Sequence, residues 1–161
     1  MPSIEDTPAV SANPPYRTHR CGELRAANVG ERVSVAGWVA RRREHGEHLA
    51  FIDLRDHTGV VQCVIDHDVD VRSEWVVKIT GVVRPRPEGT VNADLDTGEV
   101  EIGEAEVEVL SAAKPPPFPV DDRADAVDET IRLRHRYVDL RREKMQSNLR
   151  MRARVNSSIR T

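Results

Sequence analysis

Five segments between residues 32 and 110, in which β-branched and other apolar residues alternate with polar ones, constrain this chain most strongly. A period of two is typical of β-strands that bury one face. Turn-forming residues such as Gly, Pro, Asp and Thr fill each break between the segments. The sequence therefore predicts five strands, at residues 32–42, 49–55, 59–66, 75–84 and 99–110.

Two glycines lie inside these predicted strands, Gly37 in the first and Gly81 in the fourth. Glycine within a strand permits the sharp bend that a small closed barrel needs. Five strands of this length match the oligonucleotide-binding fold (OB-fold). A β-sandwich is the alternative, but sandwiches usually need seven strands. We expect a mainly β protein built on a five-stranded OB-fold barrel.

The remaining sequence divides around this barrel. Residues 1–17 lack periodicity and predict a disordered tail. The barrel domain, residues 18–113, begins with a short helical segment that Gly30 ends. Residues 114–127 are rich in proline and acidic residues and predict a linker. Residues 128–161 are rich in arginine and predict helices.

The C-terminal helical segment, residues 128–161, differs from the rest of the chain in charge. Residues 1–127 have a net charge of −9 and residues 128–161 of +6, which indicates two functional parts. Asp128 is a plausible helix start, and a second helix runs from Glu143 to the end. Because that helix stops without a cap, we expect it to lead into a further domain.

Several classes of protein are excluded by the sequence. No apolar run approaches the roughly 20 residues that cross a bilayer, so we expect no membrane partner. Cys21 and Cys63 are too few for a disulfide framework and suit free thiols in the cytoplasm. We expect no metal site and no catalytic residue, since no nucleophile motif, phosphate-binding glycine loop or zinc-ligand pattern is present.

Strand alternation assigns side chains to faces. In the second strand Ala50, Ile52 and Leu54 form an apolar set, which places Phe51 on the outer surface. The same reasoning places Gln62 outside on the third strand. An exposed ring beside an amide suits recognition of single-stranded RNA. Alternation alone leaves open that Phe51 packs beneath the N-terminal helix instead.

The fifth predicted strand is rich in glutamate. We expect its glutamates to face mostly outward and Val100, Ile102, Val107 and Val109 to face the core. Five carboxylates repel phosphate, which disfavours a generic nucleic-acid binder. The glutamates are Glu99, Glu101, Glu104, Glu106 and Glu108.

Several motifs together resemble the N-terminal domain of bacterial aspartyl-tRNA synthetases, over about residues 18–161. The strand motifs also occur in asparaginyl- and lysyl-tRNA synthetases, which remain alternatives. The motifs are CGELR at 21–25, GWVARRR at 37–43, FIDLRDHTGVVQ at 51–62, TGVVR at 80–84, TGEVE at 97–101 and RHRYVDLRR at 134–142.

The resemblance implies that the barrel binds a tRNA anticodon. By motif match, Phe51 stacks on an anticodon base and Gln62 reads the central uracil. Arg43, Arg86 and Glu101 match the family's other anticodon-contacting positions. The implied partner is aspartate tRNA.

Two further positions concern which tRNAs are accepted. Family members that charge only aspartate tRNA tend to have Leu and Lys there, whereas relaxed members that also charge asparagine tRNA tend to have His and Gly. This sequence has His45 and Gly89. The resemblance is therefore to the relaxed type, although Gly89 also suits a turn and His45 also suits a solvated loop.

The resemblance also implies a longer enzyme, cytoplasmic and homodimeric, that uses ATP and Mg²⁺ to attach aspartate to tRNA. In such an enzyme residues 128–161 would be the helical hinge that leads to a catalytic domain missing here. The chain alone would hold no cofactor and would be inactive. A free-standing OB-fold module for single-stranded nucleic acid, or a non-binding structural domain, are the competing interpretations.

Overall fold

A computed structural model describes residues 16–160; most of the predicted tail, residues 1–15, lies outside the described residues. Five strands close into a barrel in the order β1-β2-β3-β5-β4, which confirms the predicted OB-fold. All pairs are antiparallel except β3 with β5. The strands are β1 (Arg32–His45), β2 (Leu49–Arg55), β3 (Val60–Asp66), β4 (Val76–Pro85) and β5 (Val100–Ser111).

The two strand glycines are required by close backbone approaches. A Cβ on Gly37 would lie 2.4 Å from the carbonyl oxygen of Arg55. A Cβ on Gly81 would lie 2.4 Å from the carbonyl oxygen of Gly103. Any larger residue would push neighbouring strands apart, so these glycines permit the tight closure of the barrel.

The barrel core follows the predicted alternation over most of its length. Ile52, Leu54, Val61 and Cys63 are fully buried in one cluster. Val109, predicted to face the core, is instead 44% exposed. The residues around it at the end of β5, Glu108 to Ser111, are all exposed, so this end of the strand extends beyond the packed interior.

The N-terminal segment forms two 3-10 turns, Cys21–Glu23 and Ala26–Asn28, and Gly30 follows them with φ of +90°. Cys21 and Leu24 insert into the barrel core. Cys21 and Cys63 are free, and burial raises the pKa of each thiol. Both cysteines therefore act as small core residues at neutral pH.

Asp56 joins this N-terminal segment to the β2–β3 turn. Its carboxylate accepts hydrogen bonds from the backbone N–H of Cys21 at 2.9 Å and of Thr58 at 2.7 Å, and from the Thr58 hydroxyl. Burial alone raises the pKa of Asp56, but these hydrogen bonds together outweigh it and leave the pKa below its usual value. The carboxylate form thus stabilises the fold.

We expect the contribution of Asp56 to depend on pH. Because its pKa is lower in the folded than in the unfolded chain, the stabilisation is complete above the unfolded value of about 3.9 and is lost as pH falls through the folded value. Urea unfolding should therefore show Asp56→Asn less stable than the wild type at pH 7, with the gap narrowing towards pH 3. The exposed Asp94→Asn variant is the control. A gap that stays constant would contradict this assignment.

A second compact unit begins after Ala113. It contains a 3-10 turn (Asp122–Ala126) and the helices α1 (Glu129–Arg134), α2 (Arg136–Asp139) and α3 (Glu143–Arg160). The predicted helix start is confirmed, since the Asp128 side chain accepts a hydrogen bond from the Thr130 N–H. Its small apolar cluster is Phe118, Val120, Ala124 and Val138.

Ion pairs complete the interior of this second unit. Arg142 is 1% exposed and donates to the fully buried Asp139 at 3.0 Å and also to Asp125. Arg136 donates to the other Asp139 oxygen at 2.8 Å. α3 buries no residue, and no helix within residues 16–160 has the length and apolarity to cross a membrane.

Candidate nucleic-acid interface

Phe51 lies on the outer face of β2, half-buried and outside the core cluster. It pairs across the strands with Arg43, whose guanidinium lies 5.9 Å from the ring centroid. The His45 ring also lies against it, with centroids 5.1 Å apart. Cys21 and Leu24 of the N-terminal turns pack into the core cluster, to which Phe51 does not belong; we call the outward ring of Phe51 the Phe51 platform.

Beside Phe51, a chain of hydrogen bonds crosses all five strands. Arg43 Nη2 on β1 donates to Asp53 on β2 at 2.6 Å and to Gln62 Oε1 on β3 at 3.1 Å. Gln62 Nε2 donates to Glu101 on β5 at 2.8 Å. Arg84 Nε on β4 donates to the other Glu101 oxygen at 2.8 Å. We call these five side chains the polar chain.

Two residues of the polar chain that were predicted to be exposed are buried in the structure. Glu101 was expected on the solvated face of β5 but is 1% exposed, because Gln62 and Arg84 cover both carboxylate oxygens. Gln62 does lie on the outer face of β3, opposite Asp53, yet it is only 7% exposed, with Arg43 and Glu101 against the two ends of its amide. The other glutamates of the fifth predicted strand, Glu99, Glu104, Glu106 and Glu108, are exposed as expected.

Arg86 lies just after β4 and is 9% exposed. Its Nε donates to the Val100 carbonyl at 3.2 Å, whereas its buried Nη2 has no hydrogen-bond partner among residues 16–160. Burial lowers the pKa of Arg86, and the carboxylates of Glu101 and Asp53 oppose this effect. A buried guanidinium nitrogen without an acceptor is uncommon, and a ligand oxygen could supply one.

His45 and Gly89, the two predicted discrimination positions, differ in how they are placed. His45 lies next to the Phe51 platform. Gly89 has φ of +81° in a turn, and no atom lies within 4 Å of where its Cβ would be. The backbone conformation is therefore a sufficient reason for glycine at position 89. Of the two positions, only His45 is in direct contact with the Phe51 ring.

Asp53 and Arg84 were not among the site residues predicted from the sequence, although both belong to the polar chain. A signal was available: each lies two residues from a predicted site residue, Asp53 after Phe51 and Arg84 before Arg86. Among residues 16–160 no three His, Cys, Asp or Glu side chains are grouped to hold a metal ion.

A closed five-stranded barrel with an outward aromatic ring beside hydrogen-bonding side chains defines an OB-fold of the nucleic-acid-binding class. Residues 33–110 match the family model for the anticodon-type OB-fold nucleic acid binding domain. The match covers β1 to β5 almost completely.

Relatives extend this assignment beyond the barrel. The chain is 52% identical over 153 residues to the aspartate–tRNA(Asp/Asn) ligase of Moorella thermoacetica, covering 90% of this chain and 25% of that protein. It is 54% identical over 147 residues to the enzyme of the same name from Salinispora arenicola, covering 90% and 24%. The chain belongs to the aspartyl-tRNA synthetase family and spans about a quarter of the length of these relatives.

Solved structures share the fold. The aspartyl-tRNA synthetase of Entamoeba histolytica superimposes with a TM-score of 0.72 at 20% identity, covering 95% of this chain and 38% of that chain. At this level of identity the likeness concerns the fold alone.

Proposed function

We propose that the barrel binds the anticodon loop of aspartate tRNA and of asparagine tRNA, as the anticodon-binding part of an aspartate–tRNA(Asp/Asn) ligase. The observation that carries this proposal is the Phe51 platform, which adjoins the polar chain on the outer face of the barrel. The names of relatives that are about 50% identical over nine-tenths of the chain support the choice of tRNA.

In this proposal one anticodon base stacks on Phe51, and Gln62 forms hydrogen bonds with the central uracil. The Gln62 amide uses one donor and one acceptor within the polar chain, which leaves one of each for a base. Arg86 Nη2 supplies a donor for a phosphate or base oxygen. Arg43 and Glu101 complete the site by binding the two ends of the amide.

Recognition of both tRNAs rests on His45. Aspartate and asparagine tRNAs differ in the third anticodon base, cytosine against uracil. A neutral imidazole has one donor nitrogen and one acceptor nitrogen, so His45 can face either the cytosine amino group or the uracil carbonyl. Gly89 adds no side chain that would favour one of the two bases.

The chemistry of aspartate attachment, with ATP and Mg²⁺, belongs in this proposal to the whole ligase, which we place in the cytoplasm as a homodimer. No catalytic step is assigned to residues 16–160. The second unit, with its helices α1 to α3, would connect the barrel to the rest of such an enzyme.

RNA hairpins with one stem and different loops test the proposal by isothermal titration calorimetry at 150 mM salt. We expect binding when the central anticodon base is uracil, and affinities within about tenfold for cytosine or uracil at the third base. Replacing the central uracil with adenine is the control and should abolish measurable binding. A preference between the two third bases beyond about a hundredfold, roughly 2.7 kcal/mol, would contradict dual recognition.

A further inference from the structure

We propose that Asp53 and Arg84 are positioning residues that, through Arg43 and Glu101, hold the Gln62 amide in one orientation and so make the site prefer uracil to cytosine. The inference rests on the proposed function, and it adds a mechanism of selectivity that the base-contacting residues alone do not provide.

The orientation of an amide is decided by what its two ends face. Arg43 carries only donors and faces Gln62 Oε1 at 3.1 Å, while the carboxylate of Glu101 carries only acceptors and faces Nε2 at 2.8 Å. Turning the amide over would place its N–H groups against a guanidinium and its oxygen against a carboxylate. Both contacts would then be repulsive in a site where Gln62 is 7% exposed.

The ends of the polar chain keep these two neighbours in place. Asp53 binds Arg43 Nη2, the same nitrogen that donates to Gln62, at 2.6 Å. Arg84 binds Glu101 at 2.8 Å and lies against Gly103, where a Cβ would be only 2.7 Å from its Nε. Arg84 therefore places a positive charge against one oxygen of the buried Glu101 carboxylate, while the other oxygen accepts from Gln62.

A fixed amide can distinguish two bases that a freely turning amide cannot. Uracil presents its O4 acceptor next to the N3–H donor, whereas cytosine presents the N4 amino donor next to the N3 acceptor. An amide matches either edge, but the two matches require opposite orientations. Because the polar chain permits one orientation, only one pyrimidine can form both hydrogen bonds with Gln62.

The Glu101→Gln variant tests whether Glu101 fixes the orientation of the Gln62 amide. The substituted side chain keeps the shape of glutamate but can donate a hydrogen bond as well as accept one. With its oxygen turned to Arg84, the substituted side chain would present N–H groups to Gln62 and favour the inverted amide. Hairpins carrying uracil or cytosine at the central anticodon position are titrated against each protein. Glu108→Gln is the matched control, because Glu108 lies on the same strand, is exposed and pairs only weakly with Lys78 at 3.3 Å.

We expect the wild type and Glu108→Gln to bind the uracil hairpin at least about tenfold more tightly than the cytosine hairpin. In Glu101→Gln the ratio should fall below about threefold or reverse, while the better of its two hairpins still binds. A merely structural role for Glu101 would weaken both hairpins equally and leave the ratio unchanged, which would overturn the inference.

Asp53→Asn provides a second test at the other end of the polar chain, should Glu101→Gln fold poorly. It removes the charge that holds Arg43 and should also lower the ratio; an unchanged ratio in this folded variant would equally overturn the inference. If the wild type itself shows no preference for the uracil hairpin over one with adenine, the proposed function fails instead, so the two failures are distinguishable.

Discussion

Replacing Ile52 with alanine is expected to destabilise the barrel by about 2–5 kcal/mol, because it leaves a cavity in a core that cannot collapse to fill it. Ile52 is fully buried, and its strand is hydrogen-bonded on both sides, opposite Arg42 on β1 and Cys63 on β3. Urea unfolding of the variant measures the loss. At a temperature where the variant is still folded, RNA affinity should be close to that of the wild type.

The neighbouring substitution Phe51→Ala is the matched comparison and should behave in the opposite way. Phe51 lies outside the core, and its ring contacts with His45 and Arg43 are cross-strand surface contacts worth about 1 kcal/mol or less. Loss of a base-stacking ring should weaken hairpin binding by about 1–3 kcal/mol, roughly 5- to 150-fold. A strongly destabilised Phe51→Ala with unchanged binding would show that the two faces of β2 are wrongly assigned.

The second large effect is expected from Arg142→Ala in the helical unit. Arg142 is 1% exposed, and its removal leaves the fully buried Asp139 with Arg136 as its remaining cationic partner among residues 16–160. Removing one partner of a buried pair costs about 3–5 kcal/mol. Hydrogen exchange should show that protection is lost from α1 and α2 while the barrel strands keep theirs.

Arg123→Ala is the control for this prediction, since it removes the same side chain from the same unit. Arg123 pairs with Asp121, but its side chain is 78% exposed, so its loss should not change hydrogen exchange measurably. Equal effects of the two variants would mean that the ion pairs of Arg142 do not stabilise the unit. Loss of protection in the barrel as well would mean that the two units unfold together.

The strands and the barrel core could be predicted from the sequence because alternation reports directly which face of a strand is buried. The turns of the N-terminal segment and the start of α1 also follow from local signals, Gly30 and Asp128. The position of Phe51 on the outer face could be predicted for the same reason, because the alternate residues of β2 around Ile52 are apolar and buried.

The burial of Glu101 and Gln62 could not be predicted in this way. Alternation assigns a residue to a face, but it does not reveal which side chains from other strands cover that face. Glu101 is covered by Arg84, 17 residues earlier, and by Gln62, 39 residues earlier. The parallel contact between β3 and β5 that joins them depends on barrel closure, and a local pattern carries no information about it. The exposure of Val109 likewise depends on where the packed interior ends.

The most direct test of the account is an NMR titration of the ¹⁵N-labelled chain with the hairpin that carries uracil at the central anticodon position. The account predicts that the largest shifts occur at the Gln62 side-chain amide and at the backbone amides of Phe51 and its neighbours on β1 and β3. Shifts centred instead on the outer face of β4 and β5, around Lys78 and Glu106, with those of Phe51 and Gln62 unchanged at saturation, would contradict it.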